Sequence, residues 1–152
     1  FETFSTTLNK FDNEHGFANS RARLRMTTLY QVAAANKGIV VGTGNKVEDF
    51  GVGFYTKYGD GGVDISPIAD CNKTEVWELG KELGILKEII DAPPTDGLWD
   101  DGRTDEGQLG FKYSELEDAM GNPNSPHREQ YEKIRNQNLH KMEPIPVCKI
   151  PS

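Results

Sequence analysis

Thr43, Glu48, Lys57 and Asp60 sit in one run, Gly42 to Gly62, that holds seven of the chain's sixteen glycines; Asp64 follows just beyond its end. Glycine adds no side chain to a core and loses more conformational entropy on folding than any other residue, so packing does not call for this concentration. A binding surface does. Glycine lets main-chain N–H groups approach a ligand closely, and a hydroxyl, an ammonium and carboxylates in the same run suit an anionic ligand with its counter-ion. Thr43 alone is a turn residue; as a ligand contact, its hydroxyl and backbone would meet a nucleotide. Glu48 alone is an exposed loop acid. Beside a polyphosphate it becomes a Mg²⁺ ligand, because that ion is usually held by one or two carboxylates plus phosphate oxygens.

Lys73 is the second marker. If Asn72 caps a helix, Lys73 is its first residue, where free N–H groups and the helix dipole already favour an anion. A cation there is mildly unfavourable unless a negative partner compensates, and phosphate is the natural one. Arg21, Arg23 and Arg25 lie within a turn and a half of helix, with Arg21 and Arg25 on one face and Arg23 pointing away. They read either as solvated surface charge or as a phosphate or carboxylate clamp. His15 and His127 stand in polar stretches, and His140-Lys141 closes a helix whose C-terminus their charge complements. No Ser-His-Asp signature or zinc pattern is present, and Cys71 and Cys148 read as reduced thiols without a special role.

The elements that must position these groups can be read from pattern. A short helical lead-in over Phe1 to about Lys10 ends in the polar stretch Asp12 to Gly16. A helix runs from about Ser20 to Asn36, with Ala22, Met26, Leu29 and Ala33 at helical spacing. Gly38-Ile39-Val40-Val41-Gly42 is an unbroken apolar run that fits a strand buried on both faces of a parallel sheet. The glycine-rich run starts where that strand ends, which is where open α/β sheets bind ligands. Val63 to Ile68 reads as a second short strand.

A helix capped by Asn72 and Glu75 follows, with Val76, Leu79 and Leu83 as its buried stripe and Gly84 as its stop. Ile85 to Ile90 is a short helix or turn, and Ala92 to Gly102 a long loop of the kind that forms lids. Helices over Tyr113 to Met120 and about Pro126 to Leu139 precede an extended tail, Met142 to Ser152. The fold class is α/β, a Rossmann-like open parallel sheet flanked by helices. Two strands are few for such a sheet, so the chain is expected to be the incomplete C-terminal part of one larger domain.

At 36% apolar and 27% charged residues, the 152-residue chain fits one ordinary domain. No stretch reaches the roughly 18 to 20 apolar residues of a membrane span, and no signal-peptide pattern opens the chain, so a cytoplasmic protein without a membrane partner is expected. A net charge of −7 argues against a nucleic-acid partner. All of it falls between Asp91 and Met120, where nine acids face only Arg103 and Lys112. The glycine-rich run and its flanks can then be locally basic through Arg21, Arg23, Arg25, Lys46, Lys57 and Lys73.

Several motifs, in order, carry a family resemblance: Arg21-Ala22-Arg23-Leu24-Arg25-Met26, Gly42-Thr43-Gly44, Gly53 to Asp64 with its Thr-Lys-Tyr-Gly-Asp-Gly-Gly-Val-Asp core, Pro94-Thr95-Asp96, and His140-Lys141. From about Asn19 to Lys141 the chain resembles the C-terminal portion of the ammonia-dependent NAD⁺ synthetases, within the adenine-nucleotide α-hydrolase-like ATP pyrophosphatases. The resemblance implies a two-step ligase. ATP adenylates the nicotinate carboxylate of deamido-NAD⁺ and releases pyrophosphate; ammonia then displaces AMP to give NAD⁺.

Carried over by position, Thr43, Lys73 and Thr95 match ATP contacts and Glu48 a Mg²⁺ ligand. Arg23, Lys57, Asp64, His140 and Lys141 match contacts to deamido-NAD⁺. The resemblance also implies a homodimer for the intact protein and a loop at Thr95 that closes over ATP and is mobile when the site is empty. Two departures mark the chain. Gly44-Asn45 stands where many members have Asp-His, and the family's Ser-Gly-Gly-x-Asp-Ser pyrophosphate loop occurs nowhere in the sequence. These residues alone are therefore expected to bind ATP poorly and to be inactive. The alternatives are a related ATP pyrophosphatase acting on another substrate, or an inactive nucleotide-binding fragment.

Overall fold

The computed structural model describes residues 1–150; of the tail expected over Met142 to Ser152, Pro151 and Ser152 lie outside the described residues. Helix α1 spans Glu2–Thr7, followed by a 3-10 turn at Asn9–Phe11. Helix α2 spans Glu14–Ala35 and starts earlier than its apolar spacing predicts. The polar stretch is its cap: the Asn13 side chain accepts the Gly16 N–H at 2.6 Å, so the residues that read as a break begin the helix.

The expected strands do not form a sheet. Gly38 to Gly42 and Val63 to Ile68 meet in one isolated parallel bridge, Val41 to Ile65, and among the described residues no strand is longer than that. Parallel strands are stable when both faces are covered, and here they are not: Ile39 is 59% exposed, Val41 52% and Ile65 46%. The direction of pairing agrees with the expected parallel sheet; its extent does not. The carboxylate of Asp64 holds the bridge, accepting the Val40 N–H at 2.8 Å and the Tyr30 hydroxyl at 3.3 Å.

The core lies instead around a π-helical turn at Val47–Val52, on which α6 (Tyr113–Gly121) and α7 (Arg128–Met142) pack. Val47, Val52, Phe111, Tyr113, Leu116, Ala119 and Tyr131 are buried there together. The turn is anchored at both ends. The Asn45 side chain, 1% exposed, accepts the N–H groups of Val47 (3.0 Å) and Glu48 (3.1 Å), and the Arg135 guanidinium donates to the carbonyls of Phe50 and Gly51.

Helix α3 spans Lys73–Glu82, with the Glu75 carboxylate accepting the Asn72 N–H at 2.7 Å as expected. Its expected buried stripe is not buried: Leu79 and Leu83 are exposed. Helix α4 is the single turn Lys87–Ile90, and α5 (Asp105–Leu109) is a helix that the sequence pattern does not reveal. Among the described residues no helix is long and apolar enough to cross a membrane. Both cysteines are free.

Candidate functional site

The first turn of α3 is fixed against α6, because Glu117 accepts the Thr74 N–H at 3.0 Å and the Thr74 hydroxyl at 2.7 Å. That places Lys73 over the π-helical turn, where its Nζ lies 3.1 Å from Glu48 Oε1. Both side chains are largely buried, at 18% and 16% exposure. The Tyr113 hydroxyl donates to the same Glu48 oxygen at 2.6 Å, and the Lys73 ammonium stands 5.0 Å over the Tyr113 ring. Tyr113 itself is 1% exposed, and burial followed by the Glu48 charge pushes its phenol above the ordinary range.

Asp105, the first residue of α5, also faces this group, with Oδ2 3.4 Å from the Tyr113 hydroxyl. Its Oδ1 is buried without a hydrogen-bond partner. Burial, then the Glu48 and Asp96 charges, push the Asp105 carboxyl up to about 6. The Asp105 N–H donates to the Pro94 carbonyl at 3.0 Å, which ties α5 to the segment carrying Thr95. Of the residues expected to meet ATP and Mg²⁺, Lys73 and Glu48 are thus brought together. Thr43 and Thr95 are exposed, each outside regular secondary structure.

The loop after Pro94 is fastened to α2. Arg25 donates to the carbonyls of Asp96 (3.3 Å) and Gly97 (2.7 Å), and Arg21 to that of Leu98 (2.7 Å). The shared face of Arg21 and Arg25 therefore serves as a loop latch, which displaces the anion-clamp reading for these two. The Arg103 guanidinium stacks on Trp99 at 4.0 Å in the same loop.

A second group forms where α7 ends. Lys141 Nζ donates to the carbonyls of Gly53 and Tyr55, both at 2.8 Å, and the Tyr55 hydroxyl donates to the Lys141 carbonyl at 2.5 Å. Lys57 Nζ donates to the His140 carbonyl at 2.5 Å, and Arg23 Nε to the Lys57 carbonyl at 3.2 Å. Arg23, Lys57, His140 and Lys141 are therefore neighbours. Asp64 stands apart from this network, committed to the strand bridge.

Asp49, Tyr55, Asp60 and Lys141 line a cavity of about 230 Å³ with Gly42, Gly44 and Gly61. Burial, then Glu48 and Asp60, push the Asp49 carboxyl up to about 6. Burial also raises Asp60, against the Thr56 N–H that it accepts at 2.9 Å, and lowers the Lys141 ammonium. A Cβ on Gly44 would lie 2.3 Å from Asp49 Oδ2, so a side chain there would displace that carboxylate.

Three contributors escape sequence reading: Asn45, Tyr113 and Asp105. Asn45 carries a usable signal, an Asn three residues before Glu48 at the entry to a helical turn. Tyr113 and Asp105 carry none, since they reach Glu48 only through the packing of α5 and α6. The donor set can suit a Mg²⁺ ion shared with phosphates, Glu48 being a partly buried carboxylate beside an unsatisfied one. Among the described residues no group of three or more His, Cys, Asp or Glu side chains is arranged to hold a metal by itself.

A family model described as NAD synthase matches residues 1–150. The chain is 51% identical over 100 residues to the NH(3)-dependent NAD(+) synthetase of Carboxydothermus hydrogenoformans, covering 66% of this chain and 40% of that protein. It is 39% identical over 142 residues to the protein of the same name from Finegoldia magna, covering 93% and 58%. The chain thus spans about half the length of the curated relatives it matches.

Among solved structures, NMN synthetase from Francisella tularensis superposes with a TM-score of 0.90 at 36% identity, over 98% of this chain and 63% of that one. The NH3-dependent NAD synthetase of Campylobacter jejuni superposes with a TM-score of 0.69 at 23% identity, over 97% and 63%, which bears on fold alone.

Proposed function

Because this chain belongs to the NAD synthase family, we propose that it forms the C-terminal portion of a ligase that amidates the nicotinate carboxylate of deamido-NAD⁺ with ATP and ammonia. In the first step a carboxylate oxygen attacks the α-phosphorus of ATP; the new O–P bond forms as the bond to pyrophosphate breaks. In the second, ammonia nitrogen attacks the acyl carbon, AMP leaves with the oxygen that joined it, and a proton is released. Activation is needed because a carboxylate has no adequate leaving group.

The observation that carries this reading is the Lys73–Glu48 pair at 3.1 Å. It sits where the glycine-rich run meets the N-terminus of α3, and it offers one cation for phosphate and one carboxylate for Mg²⁺. Bound Mg²⁺ would neutralise phosphate charge during adenylation. Glu48 would hold it, Lys73 would take the phosphate oxygens that it then faces, and Thr43 and Thr95 would contact ATP from the two loops. Arg21 and Arg25 would hold the Thr95 loop in place and limit water. Arg23, Lys57, His140 and Lys141 form the surface proposed for the dinucleotide, and Asp64, held apart from them at the strand bridge, is proposed as a separate contact to it.

The exposed apolar side chains of Ile39, Val41 and Ile65 support a sheet completed by further polypeptide, and on this reading the triphosphate cradle is the Ser-Gly-Gly-x-Asp-Ser loop that the resemblance implies there, a motif these residues do not contain. On this reading the 152 residues alone turn nothing over, and the complete enzyme is a cytoplasmic homodimer. A second reading is favoured by the 0.90 TM-score to an NMN synthetase: the same chemistry on nicotinate mononucleotide. Competition between the two acids in the full-length polypeptide separates them. A higher kcat/KM for deamido-NAD⁺ supports the first, and a higher value for the mononucleotide the second. Preferential amidation of an unrelated acid would defeat both, and NAD⁺ formation by the isolated chain would defeat the partial-domain reading.

A further inference from the structure

We propose that Glu117 is a positioning residue for ATP: acting through Thr74, it sets where the Lys73 ammonium stands, and ATP affinity depends on it although a carboxylate cannot itself hold a phosphate. This rests on the reading of Lys73 as a phosphate contact. Helix α3 is lightly held for an element that carries such a group. None of its residues is fully buried, and Leu79 and Leu83 are exposed. Among the described residues, the side-chain hydrogen bonds that join α3 to other elements all come from Lys73 and Thr74. Once Lys73 turns from Glu48 to a phosphate, the Thr74 bonds are what remains of them.

The contact fixes direction as well as distance. Tyr113 and Glu117 are four residues apart on α6 and share a face. The Tyr113 ring lies 5.0 Å from the Lys73 ammonium, and one turn on, Glu117 accepts both polar hydrogens of Thr74, the N–H at 3.0 Å and the hydroxyl at 2.7 Å. Two oxygens on two donors resist rotation of the helix end, as a single bond would not. Trp77, one turn along α3 from Lys73, meets the Tyr113 ring edge to face at 6.1 Å and completes the seat. The same bonds occupy the N-terminus of α3: Glu117 holds the Thr74 N–H, and Glu75 holds the Asn72 N–H at 2.7 Å. With those two amides taken, an anion at this end relies on Lys73 Nζ, and the placement of that one group counts for more. The charge and the position of Glu117 act in opposite senses. By charge alone a nearby carboxylate repels phosphate, so its loss strengthens ATP binding; by position, its loss weakens it.

The test measures ATP binding to the full-length polypeptide by calorimetry, with folding followed by circular dichroism. Glu117→Leu, Glu117→Gln and Thr74→Val are each made alone and together with Lys73→Met. Glu117→Leu should weaken ATP binding about tenfold, the scale of one charge-assisted hydrogen bond. Glu117→Gln should bind ATP as wild type does, because its amide can accept the Thr74 N–H and donate to the Thr74 hydroxyl oxygen. With Lys73→Met already present, Glu117→Leu should change binding by less than about twofold, a dependence that general loosening of the fold does not produce. Unchanged or tighter binding in Glu117→Leu overturns the inference, as does an equal loss in both backgrounds or a loss in Glu117→Gln as large as that in Glu117→Leu. If Glu117→Leu does not fold, Thr74→Val carries the same test, with a loss of about threefold that disappears beside Lys73→Met. Lys73→Met alone separates the two readings. If it weakens ATP binding while Glu117→Leu does not, Lys73 stands as a phosphate contact and Glu117 does not position it; if Lys73→Met binds ATP as tightly as wild type, both readings fall.

Discussion

Lys73 Nζ and Glu48 Oε1 stand 3.1 Å apart, so the two groups assigned here to phosphate and cation neutralise each other while neither ligand is bound. Each therefore shields the other from the cost of burying an uncompensated charge. Mg²⁺ and phosphate can replace this pair by two pairs of the same signs, which lets the site exchange partners without stranding a charge.

Lys73→Met should destabilise the protein by about 1–3 kcal/mol, because it leaves Glu48 buried with only the Tyr113 hydroxyl. Glu48→Gln should cost a similar amount. The double variant should cost clearly less than the two summed, and urea denaturation of all four proteins measures the difference.

A pH dependence follows from Asp49, whose folded value of about 6 lies well above that of an ordinary aspartate. A raised carboxylate binds more protons folded than unfolded. Its contribution is then fully favourable below about pH 4 and is lost as pH rises toward and through about 6. Asp60 is displaced in the same direction. Asp49→Asn should flatten the fall in stability between pH 4.5 and 7 by on the order of 1 kcal/mol, allowing for its partial exposure. Denaturation midpoints across that range supply the measurement.

Two glycines separate backbone strain from close approach. Gly53 has φ +66, and a Cβ on it would lie 2.7 Å from Asn138 Cβ; Gly84 has φ +70 with nothing within 4 Å. Gly84→Ala should cost about 1 kcal/mol, the left-handed penalty alone. Gly53→Ala should cost about 2–4 kcal/mol, because α7 must move away from the turn that it packs on. Thermal unfolding of both variants ranks them directly.

Removal of the Arg25 latch should free the Thr95 loop. Arg25→Ala loses the donors to Asp96 and Gly97, so cleavage by trypsin after Arg103 should accelerate several-fold while global stability changes by less than about 1 kcal/mol. An unchanged cleavage rate would show that Arg21 and the Trp99–Arg103 stack hold the loop unaided.

What was legible in the sequence follows from what is local. Lys73 at the start of α3, the Glu75 cap and the opposed directions of Arg23 and Arg25 are properties of a single helix, and spacing reveals them. The strand at Gly38 to Gly42 was read from an apolar run, but a strand is completed only by neighbours, and here it reduces to one bridge. The stripe of Val76, Leu79 and Leu83 has the right period without a surface in these residues that covers it. Tyr113 and Asp105 were illegible for the converse reason: Tyr113 meets Glu48 across a sequence distance that no local pattern spans, and Asp105 joins them only through the Tyr113 hydroxyl.

The measurement that bears most directly on the proposed chemistry follows the carboxylate oxygen. Deamido-NAD⁺ labelled with ¹⁸O in the nicotinate carboxylate is incubated with ATP, ammonia and the full-length polypeptide, and the products are read by mass spectrometry. The account predicts NAD⁺ with AMP and pyrophosphate, and one ¹⁸O carried into the phosphate of AMP. Unlabelled AMP, or ADP and inorganic phosphate as the products, would contradict it.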